Sequence, residues 1–237
     1  MSIRILLLYP EHMGLSGDKG NILALRHRLH SLGIRCEVTA AGIGDAMPFR
    51  EYDLIYAGNA PLSGLLPAMA DMAPRAAALR EAMDAGRIFL LTGSARCLLG
   101  GDLTLRDGTV VHGARLLSES HREVNRFTGE ILATRPGLGR TLYLGCYDRV
   151  LETDAASERP LFQTVRGMGD KPAAIYEGVF KNNIYATYML GPLLVRNPEL
   201  LEELVEKLAG GQYRPRGESF DAEAKALHLA MLDKKKR

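Results

Sequence analysis

Three side chains able to act as nucleophiles, Thr92, Ser94 and Cys97, lie around one sharp turn in the stretch IFLLTGSARCLLGG, residues 88 to 101. An apolar run that breaks at small residues and continues as a helix projects its corner side chain into a crevice. It also faces that side chain toward the helix's first unpaired N–H groups, which is where acyl-transfer enzymes hold a nucleophile. The plain alternative is structural. Every strand-to-helix connection needs a tight turn, and Gly93-Ser94-Ala95 supplies one. Cys97 then falls in the first turns of the following helix, where a free cysteine is commonly a small buried hydrophobe.

The elements that must position this corner are legible as alternating strands and helices. IRILLLYP is a continuous apolar run ending at Pro10, the pattern of a strand buried on both faces. Ile22, Leu25, Leu29 and Leu32 recur at helical spacing up to Gly33. RCEVTAA and YDLIYAGN read as the second and third strands, and an alanine-rich helix over 66–86 breaks near Pro74 and stops at Gly86. RIFLLTG is the fourth strand. This order predicts an open parallel sheet with right-handed crossovers, whose ligands bind beyond the carboxyl ends of the strands. The loops YPEHMGLSGDKGN, AGNAPLSG and TGSARC thereby become the suspected site.

After Gly101 the pattern turns antiparallel. LTLRDGTVVHGARLL carries a hairpin turn at Asp107-Gly108, GRTLYLGCYDRVL is a strand, and AAIYEGVFKNNIYATYML is a strand pair joined through KNN. A helix over 197–211 takes Asn197 as N-cap and Pro198 at its first position. The last helix starts at Ser219 and runs into the basic residues KKKR. No repeat or linker divides the chain. The expected fold class is α/β, a flavodoxin-like, mostly parallel sheet flanked by helices with antiparallel additions. It forms one domain over 1–237, with 209–237 as an added helical extension.

Composition excludes several classes of partner. Thirty Lys and Arg against 28 Asp and Glu leave a formal net charge of +2, which gives no reason to invoke nucleic acid. Cys36, Cys97 and Cys146 are far apart and lack C-x-x-C spacing, so neither a disulfide framework nor a metal site is expected. No apolar run reaches membrane-spanning length and the N-terminal one breaks at Pro10, so a cytoplasmic chain without a signal segment is expected.

Several segments together carry a resemblance. LYPEHMGLSGDKGNILALRHRL, YAGNAP, LLTGSARCLLG, VNRFTGE and YEGVFKNNIYATYMLGPLLVRNPEL occur in the order and spacing of the glutaminase subunit of lipid II isoglutaminyl synthase. That subunit belongs to the cobyric-acid-synthase-like branch of the class I glutamine amidotransferases, and the chain resembles it over about residues 3 to 208. The resemblance implies a cytoplasmic protein of peptidoglycan biosynthesis. In that family an elbow cysteine attacks the side-chain amide of glutamine, and a distant histidine acts as base and then as acid. The loop corresponding to AGNAP, including Gly58 and Asn59, supplies oxyanion-hole N–H groups. No cofactor is implied, and the partner is a Mur-ligase-like, ATP-dependent amide synthetase.

Both reacting positions depart from the family. Anchored on Leu98-Leu99-Gly100, the nucleophile position falls on Gly93; anchored on GPLL, the base position falls on Leu190. Neither residue can perform the step. Cys97 is the fallback nucleophile only if the helix begins about one turn later, and none of the six histidines lies in the matching segment. Ser94, without a histidine beside it, reads as a helix cap. Arg126 in NRFTGE falls where the family keeps an arginine for the α-carboxylate of glutamine, so a ligand site over Arg126, Gly58, Asn59 and Ser94 is expected, against an ion pair as the plain alternative. Cys146 reads as packing. Three functions stay open: a degenerate subunit that acts as scaffold, regulator or small-molecule sensor; an active glutaminase feeding amidation of a cell-wall precursor or a cobyrinate-like acid; and another enzyme using Asp18, Lys19 or Ser94.

Overall fold

A computed structural model describes residues 1–155, 158–215 and 219–234. Its first half is the expected alternation: β1 (Ser2–Leu8), α1 (Lys19–Ser31), β2 (Arg35–Ala41), β3 (Leu54–Ala57), α2 (Leu62–Met72), α3 (Ala76–Asp84) and β4 (Ile88–Thr92). Pro74 lies in a short 3₁₀ turn, Ala73–Arg75, between α2 and α3, because a helix-interior proline has no N–H to donate. Gly33 and Gly86 end α1 and α3 with φ of 73° and 76°, the left-handed conformation that closes a helix most easily without a Cβ.

The second half adds β5 (Asp102–Thr104), β6 (Val110–His112), β7 (Glu119–Thr134), β8 (Tyr143–Ala155), β9 (Pro160–Arg166), β10 (Tyr176–Lys181) and β11 (Ile184–Thr187). The helices α4 (Leu193–Arg196), α5 (Pro198–Ala209) and α6 (Phe220–Lys234) follow. All eleven strands form one sheet in the order β2-β1-β3-β4-β11-β10-β9-β7-β5-β6, with β8 paired to β7. From β2 to β11 the strands run parallel, a flavodoxin-like arrangement in which β11 is the fifth strand. Beyond β11 the sheet is antiparallel apart from the β5–β7 pairing. β3, β4 and β11 are buried along their whole length, as strands covered on both faces must be.

β11 carries the consequence for function. It lies parallel to β4 with Thr187 opposite Thr92, so residues 93 and 188–191, almost a hundred positions apart in sequence, leave the sheet side by side. Two strands not anticipated in the sequence, β7 and β9, support this end of the sheet; β7 pairs along most of β8 with an irregularity between Glu123 and Phe127.

One expected cap is different in the structure. Asn197 precedes α5, yet its side chain makes no cap bond; Oδ1 accepts Leu144 N–H at 2.7 Å, and Nδ2 donates to Leu144 O at 2.8 Å and Leu193 O at 2.9 Å. Pairing a β8 peptide on both sides wins over capping because Leu144 is buried and its groups have no water. Ser219 does cap α6, its Oγ accepting Ala222 N–H at 3.3 Å. The helix rests on the body through Leu232 against Leu132 and Leu144, and through Lys225 on Glu199. The end of the basic tail, residues 235–237, lies outside the described residues.

Candidate functional site

The corner at the end of β4 is built around a hydrogen-bonded carboxylate. Asp18, at the N-cap position of α1 rather than in an exposed loop, is 1% exposed. Its Oδ1 accepts the hydroxyls of Tyr56 and Thr92, each at 2.9 Å, and its Oδ2 accepts the backbone N–H of Asn59 at 2.9 Å and of Ser16 at 3.3 Å. The carboxylate therefore ties the ends of β3 and β4 to the loop after β1. Gly58 and Gly191 let it approach, since a Cβ on either would lie 2.5–2.9 Å from Asp18 atoms. Neither Asp18 nor Gly58 lies on the wall of the adjacent cleft; Lys19 begins α1 and is exposed.

Gly93 is the corner itself. Its φ of 62° is the left-handed conformation of an elbow, and its N–H reaches Met189 O at 3.3 Å, next to Leu190. The expected helix beyond it does not form. Residues Gly93–Leu98 make a 3₁₀ helix that stops there, because the carbonyls of Leu98, Leu99 and Gly100, which would continue it, are taken by the N–H groups of residues 114–117. Cys97 therefore has no helix N-terminus in front of it. It is completely buried, and burial pushes its thiol up to about 12, the reverse of an activated thiolate.

Ser94 does not cap a helix either. Its Oγ donates to Ala60 O at 2.8 Å and accepts Ala60 N–H at 2.9 Å, while its own N–H is bound by Asn59 Oδ1 at 3.0 Å. The N–H groups that could polarise a carbonyl at this corner are thus satisfied from within, that of Asn59 by Asp18. Asn59 also fills the corner. A Cβ on Gly93 would stand 2.4 Å from Asn59 Oδ1, 2.5 Å from its Cβ and 2.7 Å from its Cγ.

Beside the corner lies a cleft of about 390 Å³. Asn59 and Ser94 line it at the corner, and Glu123, Arg126, Asp148 and Arg149, from β7 and β8, line it as well. Arg126 is half-exposed to solvent or more, and its fork grips Asp148 through Nε and Nη2, both at 2.6 Å. Both alternatives for this arginine therefore meet in one residue: it lines the cleft and it holds an ion pair. Arg149 is buried, lies over the Tyr188 ring at 4.4 Å, donates Nη2 to Gly169 O at 2.5 Å, and has an Nη1 without a partner among the described residues.

Sequence reasoning missed the charged cluster behind the corner. Arg96, fully buried, binds Glu119 through Nε at 3.0 Å and Nη2 at 2.6 Å, and binds Asp170 through Nη2 at 2.9 Å as well as through Nη1. Glu177 accepts Thr187 Oγ1 at 2.7 Å and Tyr188 N–H at 2.6 Å; burial, with Asp170 adding to it, pushes its carboxyl up to about 7. His121 Nδ1 lies 2.8 Å from Thr153 Oγ1 and 3.0 Å from the Tyr188 hydroxyl. Burial and the Arg96 charge lower its pKa to about 3, so it is neutral and a poor base. No spacing in GSARC or SESHRE announces these contacts. Cys146 is only half-buried and accepts a 3.2 Å hydrogen bond from Arg196, which corrects its expected packing role. Among the described residues no cluster of His, Cys, Asp and Glu could hold a metal.

Comparison with known proteins places this geometry. The chain is 25% identical over 231 residues to the lipid II isoglutaminyl synthase (glutamine-hydrolyzing) subunit GatD of Staphylococcus aureus, covering 96% of this chain and 93% of that one. It is 28% identical over 211 residues to the subunit of the same name from Streptococcus pneumoniae, covering 86% and 79%. The chain is a homologue of the GatD subunits. No family model matches it. Its fold is that of the class I glutamine amidotransferases: the glutaminase domain of Trypanosoma brucei CTPS, solved with bound acivicin, superposes with a TM-score of 0.59 at 12% identity, covering 92% of this chain and 98% of that one. No described helix is long and apolar enough to cross a membrane.

Proposed function

We propose that this chain is a glutamine amidotransferase-like subunit of lipid II amidation that does not hydrolyse glutamine, and that it works as scaffold, regulator or small-molecule sensor for a Mur-ligase-like, ATP-dependent amide synthetase. The observation that carries the reading is the corner after β4. Gly93 holds the elbow conformation without a side chain, Leu190 beside it cannot move a proton, and Asn59 and Ser94 consume the N–H groups an oxyanion would need. The fallback, Cys97, is sealed and protonated. The flanking LLG and GPLL segments support reading Gly93 and Leu190 at the family positions of nucleophile and base. Residues 209–237 are read as a helical extension of one domain.

A glutamine-derived diazo-ketone should leave all three cysteines unlabelled, alone or with the synthetase, as read by mass spectrometry of the intact protein. Labelled Cys97 together with glutamine turnover would instead establish the rival reading, an active glutaminase supplying ammonia. The retained cleft supports the sensor role: a small carboxylate that competes with Asp148 for Arg126 should raise the melting temperature with concentration. Arg126→Ala should abolish the rise and leave the unliganded melting temperature nearly unchanged, because an exposed ion pair contributes little. A large loss of unliganded stability would mark Arg126 as structural.

A further inference from the structure

Asn59 is a side-chain amide held at the point where an elbow enzyme holds the amide it attacks. Its carbonyl oxygen accepts the N–H of Ser94, the residue after the corner, at 3.0 Å. In elbow enzymes that N–H polarises the carbonyl of the substrate. Its amide nitrogen is fixed by Ser16 Oγ at 3.0 Å, and the residue is 8% exposed and lines the cleft. The same group overlaps the space of any side chain on Gly93, with three of its atoms within 2.7 Å of the Cβ position. One carboxamide thus fills the places of both reacting partners. At the charged part of the cleft, by contrast, the exposed Arg126 uses only two of its N–H groups on Asp148 among the described residues.

We infer that Asn59 is a built-in stand-in for a substrate amide and sets the ligand class of the cleft: a small carboxylate that stops short of the corner is accepted, and an amino acid that brings its own terminal carboxamide to Ser94 is excluded. This deepens the proposed sensor role and rests on it for the ligand, whereas the steric part stands on the contacts of Asn59 alone.

The test uses the full chain, Asn59→Gly and Asn59→Ser, each titrated with alanine and with glutamine while Kd and melting temperature are read. Alanine should stabilise the wild type and both variants alike. Glutamine should bind the variants about tenfold or more tighter than the wild type, the scale on which a misfit in a pocket is read. Equal glutamine affinity in wild type and variants overturns the inference. No shift with either probe in any protein overturns the sensor reading and the ligand assignment with it. The steric part is read separately: Gly93→Ala should lower the melting temperature more in the wild-type background than in the Asn59→Gly background. Equal losses would show that Asn59 does not occupy the corner, whatever the ligand result.

Discussion

Four donors converge on the Asp18 carboxylate, two hydroxyls and two peptide N–H groups, and all but the Ser16 N–H are buried. Removing an acceptor from buried donors leaves each to bear its desolvation, so Asp18→Ala should lose roughly 2–4 kcal/mol in denaturant unfolding. Asp18→Asn, which keeps one accepting oxygen, should lose about half as much. Gly93→Ala combines a left-handed φ with overlap of Asn59, and a loss of roughly 2–4 kcal/mol is expected from strain and overpacking together. At this scale the sequence was partly legible. The turn at Gly93 could be read because an apolar run breaks there into small residues, and the structure has it at the end of β4 with a left-handed φ. The lodging of Asn59 against Ser94 could not, because it depends on a rotamer and on two loops meeting. The same holds for Asp18, where a buried carboxylate and an exposed one look alike in the string GDKGN.

Among the elements, the parallel strands were readable from short apolar runs bounded by Gly and Pro, and helix ends from left-handed glycines. β7 was not. Its sequence, ESHREVNRFTGEILAT, is polar for most of its length, and its burial alternates irregularly across the break between Glu123 and Phe127. The elbow helix stops after Leu98 for a tertiary reason, since residues 114–117 take the carbonyls that would continue it. Asn197 shows the same override, and it can be measured. Asn197→Ala should cost about 2 kcal/mol or more, because it strips partners from both groups of the Leu144 peptide. The Leu144 amide should then lose hydrogen-exchange protection before its β8 neighbours, whereas a plain helix cap would expose the first turn of α5 instead.

For the molecule as a whole, the fold gathers charge behind the Gly93 corner. Glu177, raised to about 7 by burial, binds its proton in the folded chain at pH values where the unfolded chain has released it. Its contribution is therefore greatest below about pH 4.5 and is lost as pH rises through 7. His121, lowered to about 3, acts in the opposite sense between its unfolded value near 6.5 and 3, so raw pH curves mix the two. The difference between wild type and Glu177→Gln isolates the first. The wild type should fall behind the variant by on the order of 2–3 kcal/mol as pH rises from 5 to 8. A difference that does not change with pH would mean that Glu177 stays ionised.

The central claim concerns catalysis, and ammonia release tests it most directly. Purified chain, alone and together with the proposed synthetase partner, is incubated with glutamine and the ammonia formed is followed over time. No release above buffer is expected in either mixture, since Gly93 has no side chain, Leu190 cannot move a proton, and the N–H groups of Asn59, Ala60 and Ser94 are bound from within. Sustained release in proportion to the concentration of the chain, abolished by Cys97→Ser, would contradict it.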